Sequence, residues 1–110
     1  MATLTVQTAS LAGAVPTFVA AAGGGDELPN TGRQIFYVKN GDGSPHDVTI
    51  NSVATCDQGF DHNVTVTVAA GVEKIIGPFP TARWNDTGTG RVAVTYSAVT
   101  SVTVAAVRAY

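Results

Sequence analysis

The chain has 110 residues, of which 45% are hydrophobic and only 13% charged, and its formal net charge is −2. At this length we expect one domain with a hydrophobic core of its own. The scarcity of Lys and Arg argues against binding of DNA or RNA, because nucleic-acid partners carry clustered basic residues. A lone cysteine, Cys56, excludes an internal disulfide and fits assembly in the cytosol.

The N-terminal segment raises the question of a signal peptide, since residues 1–25 carry no charged side chain. No Lys or Arg precedes an apolar run there, and Thr, Gln, Ser and Pro16 interrupt the run itself. We therefore predict neither a signal peptide nor a transmembrane helix in this segment, and no membrane partner for the chain.

Residues 1–33 are predicted to form a strand and then an extended arm or a long crossover. Thr and apolar residues alternate over 2–8, and a further short strand is possible at 15–20. The remainder is rich in Ala, Gly and Pro and has too few apolar side chains for a core of its own. Two placements stay open: the arm packs across its own sandwich, or it reaches a neighbouring subunit.

The string LPNTG at 28–32 matches the signal by which sortases attach proteins to Gram-positive cell walls. That signal lies near a C-terminus and precedes a hydrophobic span and a basic tail, whereas a long β-patterned stretch follows it here. We interpret the string as a turn, since Pro29 fixes φ and both Asn30 and Gly32 accept left-handed backbone. This turn would connect the N-terminal segment to the first strand of the body.

Residues 34–110 are predicted to form the body of a β-sandwich. Val and Thr alternate with period two, and clusters of Gly, Pro, Asn and Asp separate the runs. The predicted strands lie at about 34–40, 46–53, 63–69, 72–77, 90–97 and 101–108. We therefore expect one all-β domain, a single antiparallel β-sandwich of jelly-roll or immunoglobulin-like type with an extended N-terminal arm.

The densest polar cluster lies in the predicted loop 55–63. Cys56 and His62, with Asp57 and Asp61, could bind zinc or form a cysteine nucleophile with its base. Their spacing does not match a structural zinc site, and a short loop gives a poor frame for a nucleophile, its base and an oxyanion donor. We interpret this stretch as a solvated loop and predict no catalytic, cofactor-binding or metal-binding residues.

Trp84 follows Phe79 and two prolines, and three roles stay open for it. The side chain could stack on a sugar ring in a carbohydrate-binding module, or anchor a protein interface. It could also pack over the open end of the sandwich as part of the core.

Several segments carry a resemblance to a known family. They are LTVQT at 4–8, the stretch at 24–33, VKNG at 38–41, AG at 70–71, IGPFP at 76–80 and the stretch at 94–107. Together they resemble small virion proteins of tailed bacteriophages and prophages, which are similar to capsid decoration, or cement, proteins. The loop at 55–63 matches no shared motif of that family.

The resemblance implies a β-rich structural protein without catalytic residues. Such a protein is made in the host cytoplasm and binds the outside of an expanded icosahedral capsid, often as a trimer. The implied partners are the major capsid protein and further copies of the chain itself, which would stabilise the assembled shell.

Eight apolar and aromatic side chains, six of them in the N-terminal segment, are the predicted contacts with the capsid or a neighbouring subunit. They are Leu4, Val6, Leu11, Val15, Phe18, Val19, Trp84 and Tyr110. Two alternatives remain: a phage tail or head-tail component, and a carbohydrate- or cell-surface-binding module that uses Trp84.

Overall fold

A computed structural model describes residues 2–52, 63–85 and 88–108 of the protein. The described residues form ten strands and one short helix. In chain order the elements are β1 (Ala2–Thr3), β2 (Val6–Thr8), β3 (Val19–Ala20), β4 (Asp26–Pro29), β5 (Gln34–Asn40), β6 (His46–Asn51), β7 (Val64–Val68), β8 (Glu73–Ile76), α1 (Thr81–Trp84), β9 (Arg91–Tyr96) and β10 (Val102–Arg108). The predicted all-β class is confirmed.

The strands form two sheets around a single core. Sheet A has the order β1-β4-β9-β6-β7, and sheet B has the order β2-β10-β5-β8, with β3 also paired to β10. Eight of the strands have the order of a jelly roll: β3-β10-β5-β8 in one sheet lies opposite β4-β9-β6-β7 in the other. Of the two sandwich types that the sequence allowed, the topology is that of the jelly roll.

Side-chain alternation explains how each strand contributes to the sandwich. In β5, Phe36 and Val38 are fully buried, whereas Tyr37 and Lys39 point to the other face and are only half-buried. The core side chains of sheet A, such as Ile50 of β6, join the same cluster. Burying a side chain of this size contributes roughly 1.5–3 kcal/mol, so the two inner faces hold the sheets together.

The N-terminal segment pairs with its own sandwich in both sheets. β1 runs parallel to β4 in sheet A, β2 parallel to β10 in sheet B, and β3 antiparallel to β10. Leu4, between β1 and β2, is only 5% exposed and belongs to the core. The chain crosses from sheet A to sheet B at Leu4 and Thr5, which divides the predicted strand 2–8 into two pieces.

Two parallel pairs depart from the predicted antiparallel arrangement, and both involve this segment. β1 has two residues and β2 has three, and no turn separates them. Because the chain crosses between the sheets without turning back, β1 and β2 run in the same direction. That direction is parallel to β4 in sheet A and to β10 in sheet B. The pairs among β4 to β10 are all antiparallel, as predicted.

The sequence prediction missed β4 and α1. β4 contains Asp26, Glu27 and Pro29, which have low strand propensity, yet it pairs along its whole length with β9. α1 has four residues and is too short to produce a helical period. The possible strand at 15–20 is shorter than predicted, because only its last two residues pair with β10.

Leu28 and Pro29 of the LPNTG string are the last residues of β4, and residues 30–32 form the predicted turn between β4 and β5. Leu28 is fully buried in the core, and Asn30 is 4% exposed. The Asn30 side-chain amide donates to the Phe79 carbonyl at 2.8 Å, and its Oδ1 accepts from the Gly32 amide at 3.0 Å. Gly32 has φ +92°, a conformation that favours glycine.

Two predictions lie outside the described residues. One is the polar loop at 55–63, of which only Asn63 is described, and the other is the contact predicted for Tyr110.

Candidate protein-binding face

Part of the outer surface of sheet B is apolar. β5 presents Ile35 and Tyr37 there, and the strand register places Ile75 of β8 beside Tyr37 and Val107 of β10 beside Ile35. Ile75 is 65% exposed. We call this surface, defined by Ile35, Tyr37, Ile75 and Val107, the apolar face.

A loop at residues 9–16 projects beside the apolar face. Its Leu11 side chain is fully exposed and its Val15 side chain is 91% exposed. Hydrogen bonds hold the base of the loop: the Gln7 side chain donates to the Thr17 carbonyl at 2.8 Å and accepts from the Thr17 amide at 2.7 Å. The loop therefore presents apolar side chains from an anchored base.

A cavity of about 320 Å³ lies between this loop and sheet B. Val15 and Pro16 line one side of it, and Tyr37, Ile75 and Val107 line the other. The cavity is open to solvent and predominantly apolar, so it could accept an apolar side chain of a partner.

Polar groups at one end of the apolar face bind one another. The Tyr37 hydroxyl donates to Glu73 at 2.5 Å, and Lys39 lies 3.8 Å from the same carboxylate. The hydrogen bond to Glu73 is the main cause that raises the pKa of Tyr37 above its ordinary value. Phe18 packs edge-on to Tyr37, with ring centroids 5.0 Å apart, and the Lys39 ammonium lies 3.9 Å from the Phe18 ring centre.

The predicted contact residues fall into two groups in the structure. Leu11, Val15 and Val19 are exposed, and Phe18 is half-buried against Tyr37. Leu4 belongs to the core, and Val6 and Trp84 are partly buried against it. The first group lies on the loop or on the strand that follows it, whereas the second stabilises the sandwich.

Trp84 is half-buried against the core rather than free at the surface. Its ring packs edge-on to Phe79, with the centroids 6.2 Å apart. Of the three roles left open by the sequence, this placement favours the packing role.

Sequence reasoning missed Tyr37 and Ile75 as members of the candidate site. A signal for Ile75 was present, because Ile75 and Ile76 are adjacent and successive strand residues point to opposite faces. One of the two had to lie outside the core. Ile76 packs against the core and Ile75 is exposed.

The outer surface of sheet A is polar, and its side chains bind one another. We call it the threonine face. Its contacts are Thr3 to Glu27 at 3.0 Å, Arg91 to Glu27 at 2.8 Å, Thr67 to Asp47 at 2.7 Å and Thr49 to Thr65 at 3.2 Å. The Arg91–Glu27 pair is partly buried, whereas the other three contacts are exposed and contribute little to stability.

One buried carboxylate lies inside sheet A. Asp26 is 1% exposed, and its Oδ2 accepts a hydrogen bond from the Tyr96 hydroxyl at 2.6 Å and from the Ala22 amide at 3.2 Å. Burial and the bond to Asp26 raise the pKa of Tyr96 far above its ordinary value, so the hydroxyl remains a donor. The contact joins β9 to the end of the N-terminal segment.

In the described part of the chain, no three His, Cys, Asp or Glu side chains lie together as metal ligands. The nearest arrangement is a pair, His46 Nε2 and Asp42 Oδ2, 2.9 Å apart. The hydrogen bond to His46, with help from the Gly43 amide, lowers the pKa of Asp42. The candidate ligands Cys56 and His62 lie outside the described residues.

The comparisons with known proteins return no relatives: the chain matches no family model, no curated protein and no solved structure. Within the ranges 2–52, 63–85 and 88–108, no helix has the length and apolar character needed to cross a bilayer.

Proposed function

We propose that this protein is a non-enzymatic structural protein that binds the outside of an assembled bacteriophage capsid and stabilises it, as a decoration or cement protein. The observation that carries the proposal is the apolar face with its projecting loop. Leu11, Val15 and Ile75 are the three most exposed large apolar side chains of the described residues. Val15 and Ile75 line the same cavity, and Leu11 belongs to the loop that forms one wall of that cavity.

These side chains favour contact with another protein for a simple energetic reason. Moving a Leu, Val or Ile side chain fully out of water contributes roughly 1.5–3 kcal/mol. The bonds between Gln7 and Thr17 already restrict the base of the loop, so less conformational entropy is lost on docking. The threonine face offers no comparable apolar area. We therefore orient the apolar face towards the partner and the threonine face towards solvent.

The identity of the partner rests on the resemblance to phage virion proteins. The proposed partner is the major capsid protein in its expanded shell, and the protein itself is proposed to form a homotrimer there. It would be made in the host cytoplasm and located on the outer capsid surface. A protein that binds the assembled shell but not free subunits shifts the equilibrium towards the shell. The small number of charged residues lets many copies lie close together.

Cosedimentation with capsids tests the proposal. Purified protein is mixed with expanded, undecorated capsids of the phage that encodes it, and unexpanded procapsids serve as the control. We expect saturable binding to the expanded shells and a higher temperature of capsid disruption when the protein is bound. Protein that stays in the supernatant at every concentration would overturn the proposal.

The two alternatives predict different outcomes of the same kind of assay. A tail or head-tail component would bind purified tails or connectors and not the shell. A carbohydrate-binding module would bind a glycan array and lose that binding in Trp84→Ala. The packing of Trp84 against Phe79 disfavours the second alternative, because a ring held against the core has less surface for a sugar.

A further inference from the structure

We propose that β7 is a self-pairing edge, through which two copies of this chain join antiparallel and extend sheet A across both. This inference concerns an edge of the sandwich, not the apolar face, and it does not depend on the proposed function. β7 is the last strand of sheet A, and in the described part of the chain it pairs only with β6.

Among the described residues, β7 differs from the other sheet edges in its length and its residue types. β1 has two residues and β2 has three, which is too short for a lasting strand pair. β8 carries Glu73 and Lys74, and charged residues on an edge discourage pairing with another strand. β7 has five residues, Val-Thr-Val-Thr-Val, with neither a charge nor a proline.

The backbone orientation shows which groups of β7 are available. The Asp47 carbonyl accepts from the Ser97 amide, and the Asp47 amide donates to the Ser97 hydroxyl, so the backbone of Asp47 faces β9. Because backbone direction alternates along a strand, Val48 faces β7 instead and bonds Val66, its partner in the register. The amides and carbonyls of the residues on either side of Val66 therefore point away from the sheet.

The sequence of β7 fits a second copy of itself. Val-Thr-Val-Thr-Val reads the same in both directions, so an antiparallel pair centred on Val66 places Thr65 opposite Thr67 of the second copy. In this register each Thr65–Thr67 pair exchanges both of its backbone hydrogen bonds. Val66 meets Val66 on the inner face, and Val64, which is 43% exposed in the single chain, gains a neighbour.

A contact of this size is weak by itself. One strand pair of five residues buries much less surface than the roughly 1,200–2,000 Å² of a specific, stable interface. We therefore expect a dimer that forms as protein concentration rises, and that is stronger where copies are held close together. The pairing is twofold, so it would connect one trimer to the next if the proposed trimer also forms.

Sedimentation velocity over a wide concentration range tests the proposal with two matched variants. Both contain Thr67→Lys, whose new ammonium also lies beside Asp47 of its own sheet. T65E/T67K places opposite charges across the proposed pair, and T65K/T67K places like charges there. We expect a concentration-dependent dimer for the unmodified protein and for T65E/T67K, and loss of the dimer for T65K/T67K.

The two variants also distinguish this register from neighbouring ones. A shift by two residues would place position 65 opposite position 65 of the second copy, so that two glutamates would repel each other in T65E/T67K. Equal behaviour of the two variants, or an unmodified protein that stays monomeric, would overturn the proposal. Amide exchange gives a readout without substitution: the Thr65 and Thr67 amides should exchange more slowly as concentration rises. If they exchange equally fast in monomer and dimer, the dimer uses another surface and the proposal is wrong.

Discussion

The two outer faces of the sandwich are built from similar strands but differ in what their outward side chains contact. On the threonine face the outward side chains bind one another, as Thr67 does with Asp47 and Arg91 with Glu27. On the apolar face the outward positions include Ile75 and Tyr37, and the fully exposed Leu11 projects beside them. Period-two alternation determines which side chains point away from the core. The residue types at those positions determine whether an outer face is polar or exposes apolar side chains.

The N-terminal segment also has two parts, one that packs into the sandwich and one that projects from it. β1, β2 and β3 pair with the sandwich, and Leu4 and Ala21 lie in the core. Only the 9–16 loop projects. Deleting residues 2–22 would therefore remove three strands as well as the loop, and it could not separate binding from folding. Replacing residues 10–16 with a short Gly-Ser linker is the more informative deletion.

The largest effect comes from removing the core that both faces share. Phe36 is fully buried between the sheets, so Phe36→Ala should lower the free energy of unfolding by about 3–5 kcal/mol. Ile35→Ala, one residue earlier on the apolar face, is the control and should cost clearly less. Chemical denaturation measures both, and similar losses would contradict the assignment of inner and outer positions on β5.

The second-largest effect is expected on capsid binding, when exposed apolar side chains beside the apolar face are replaced. L11S/V15S should weaken capsid binding by about a hundredfold or more, since buried apolar anchors dominate interface energies. Its free energy of unfolding should stay within about 0.5 kcal/mol of the unmodified protein, because both side chains are exposed.

Thr95 of β9 lies beside Thr49 of β6 on the threonine face. T49S/T95S is the matched control for that experiment, and we expect it to bind normally. Cosedimentation with expanded capsids measures all three proteins. Normal binding by L11S/V15S, or an equal loss in T49S/T95S, would show that the apolar face is not the docking surface.

Two tyrosines allow a sharper comparison of buried and exposed hydroxyls. Tyr96→Phe removes a donor from the buried Asp26 carboxylate and should cost about 1–3 kcal/mol. Tyr37→Phe removes an exposed bond to Glu73 and should stay within about 0.5 kcal/mol. Thermal or chemical unfolding of both variants is the measurement, and a larger cost for Tyr37→Phe would contradict the account.

The raised pKa of Tyr96 adds a pH dependence. The folded state holds the phenol proton more tightly than the unfolded chain does, so its contribution is fully present below 10.0, the ordinary tyrosine pKa. Stability should fall as pH rises above that value, because only the unfolded chain then gains by ionising. The alkaline loss should be smaller in Tyr96→Phe, and an unchanged loss would remove Tyr96 as its source.

The smallest effect is expected on the threonine face. Thr49→Val removes one hydroxyl of an exposed pair with Thr65, and water can replace that partner. The free energy of unfolding should change by less than about 0.5 kcal/mol. A loss comparable to that of Tyr96→Phe would mean that the threonine face is a buried network rather than a hydrated surface.

Much of the fold was predictable from the sequence, because Val and Thr alternate at the strand period. The strand at 34–40 was placed correctly, and most other strand boundaries of the body were within two residues. β4 was missed because its acidic residues and Pro29 have low strand propensity, although the strand contains the fully buried Leu28. Pairing with β9 outweighs the low strand propensity of β4. That pairing joins residues distant in sequence, so no local sequence pattern predicts it.

The candidate site was only partly predictable. Leu11 and Val15 could be named from an apolar stretch that cannot form a core. The same reasoning grouped them with Leu4, because sequence spacing does not show where the chain crosses between sheets. Ile75 required the register between β5 and β8, which depends on contacts distant in sequence.

A cryo-electron microscopy map of a decorated particle, at a resolution that shows the orientation of the sandwich, would show directly which face contacts the capsid. We predict that the apolar face and the 9–16 loop contact the capsid, with the threonine face towards solvent. A map in which the threonine face lies on the shell, or in which the protein is absent from the shell, would contradict it.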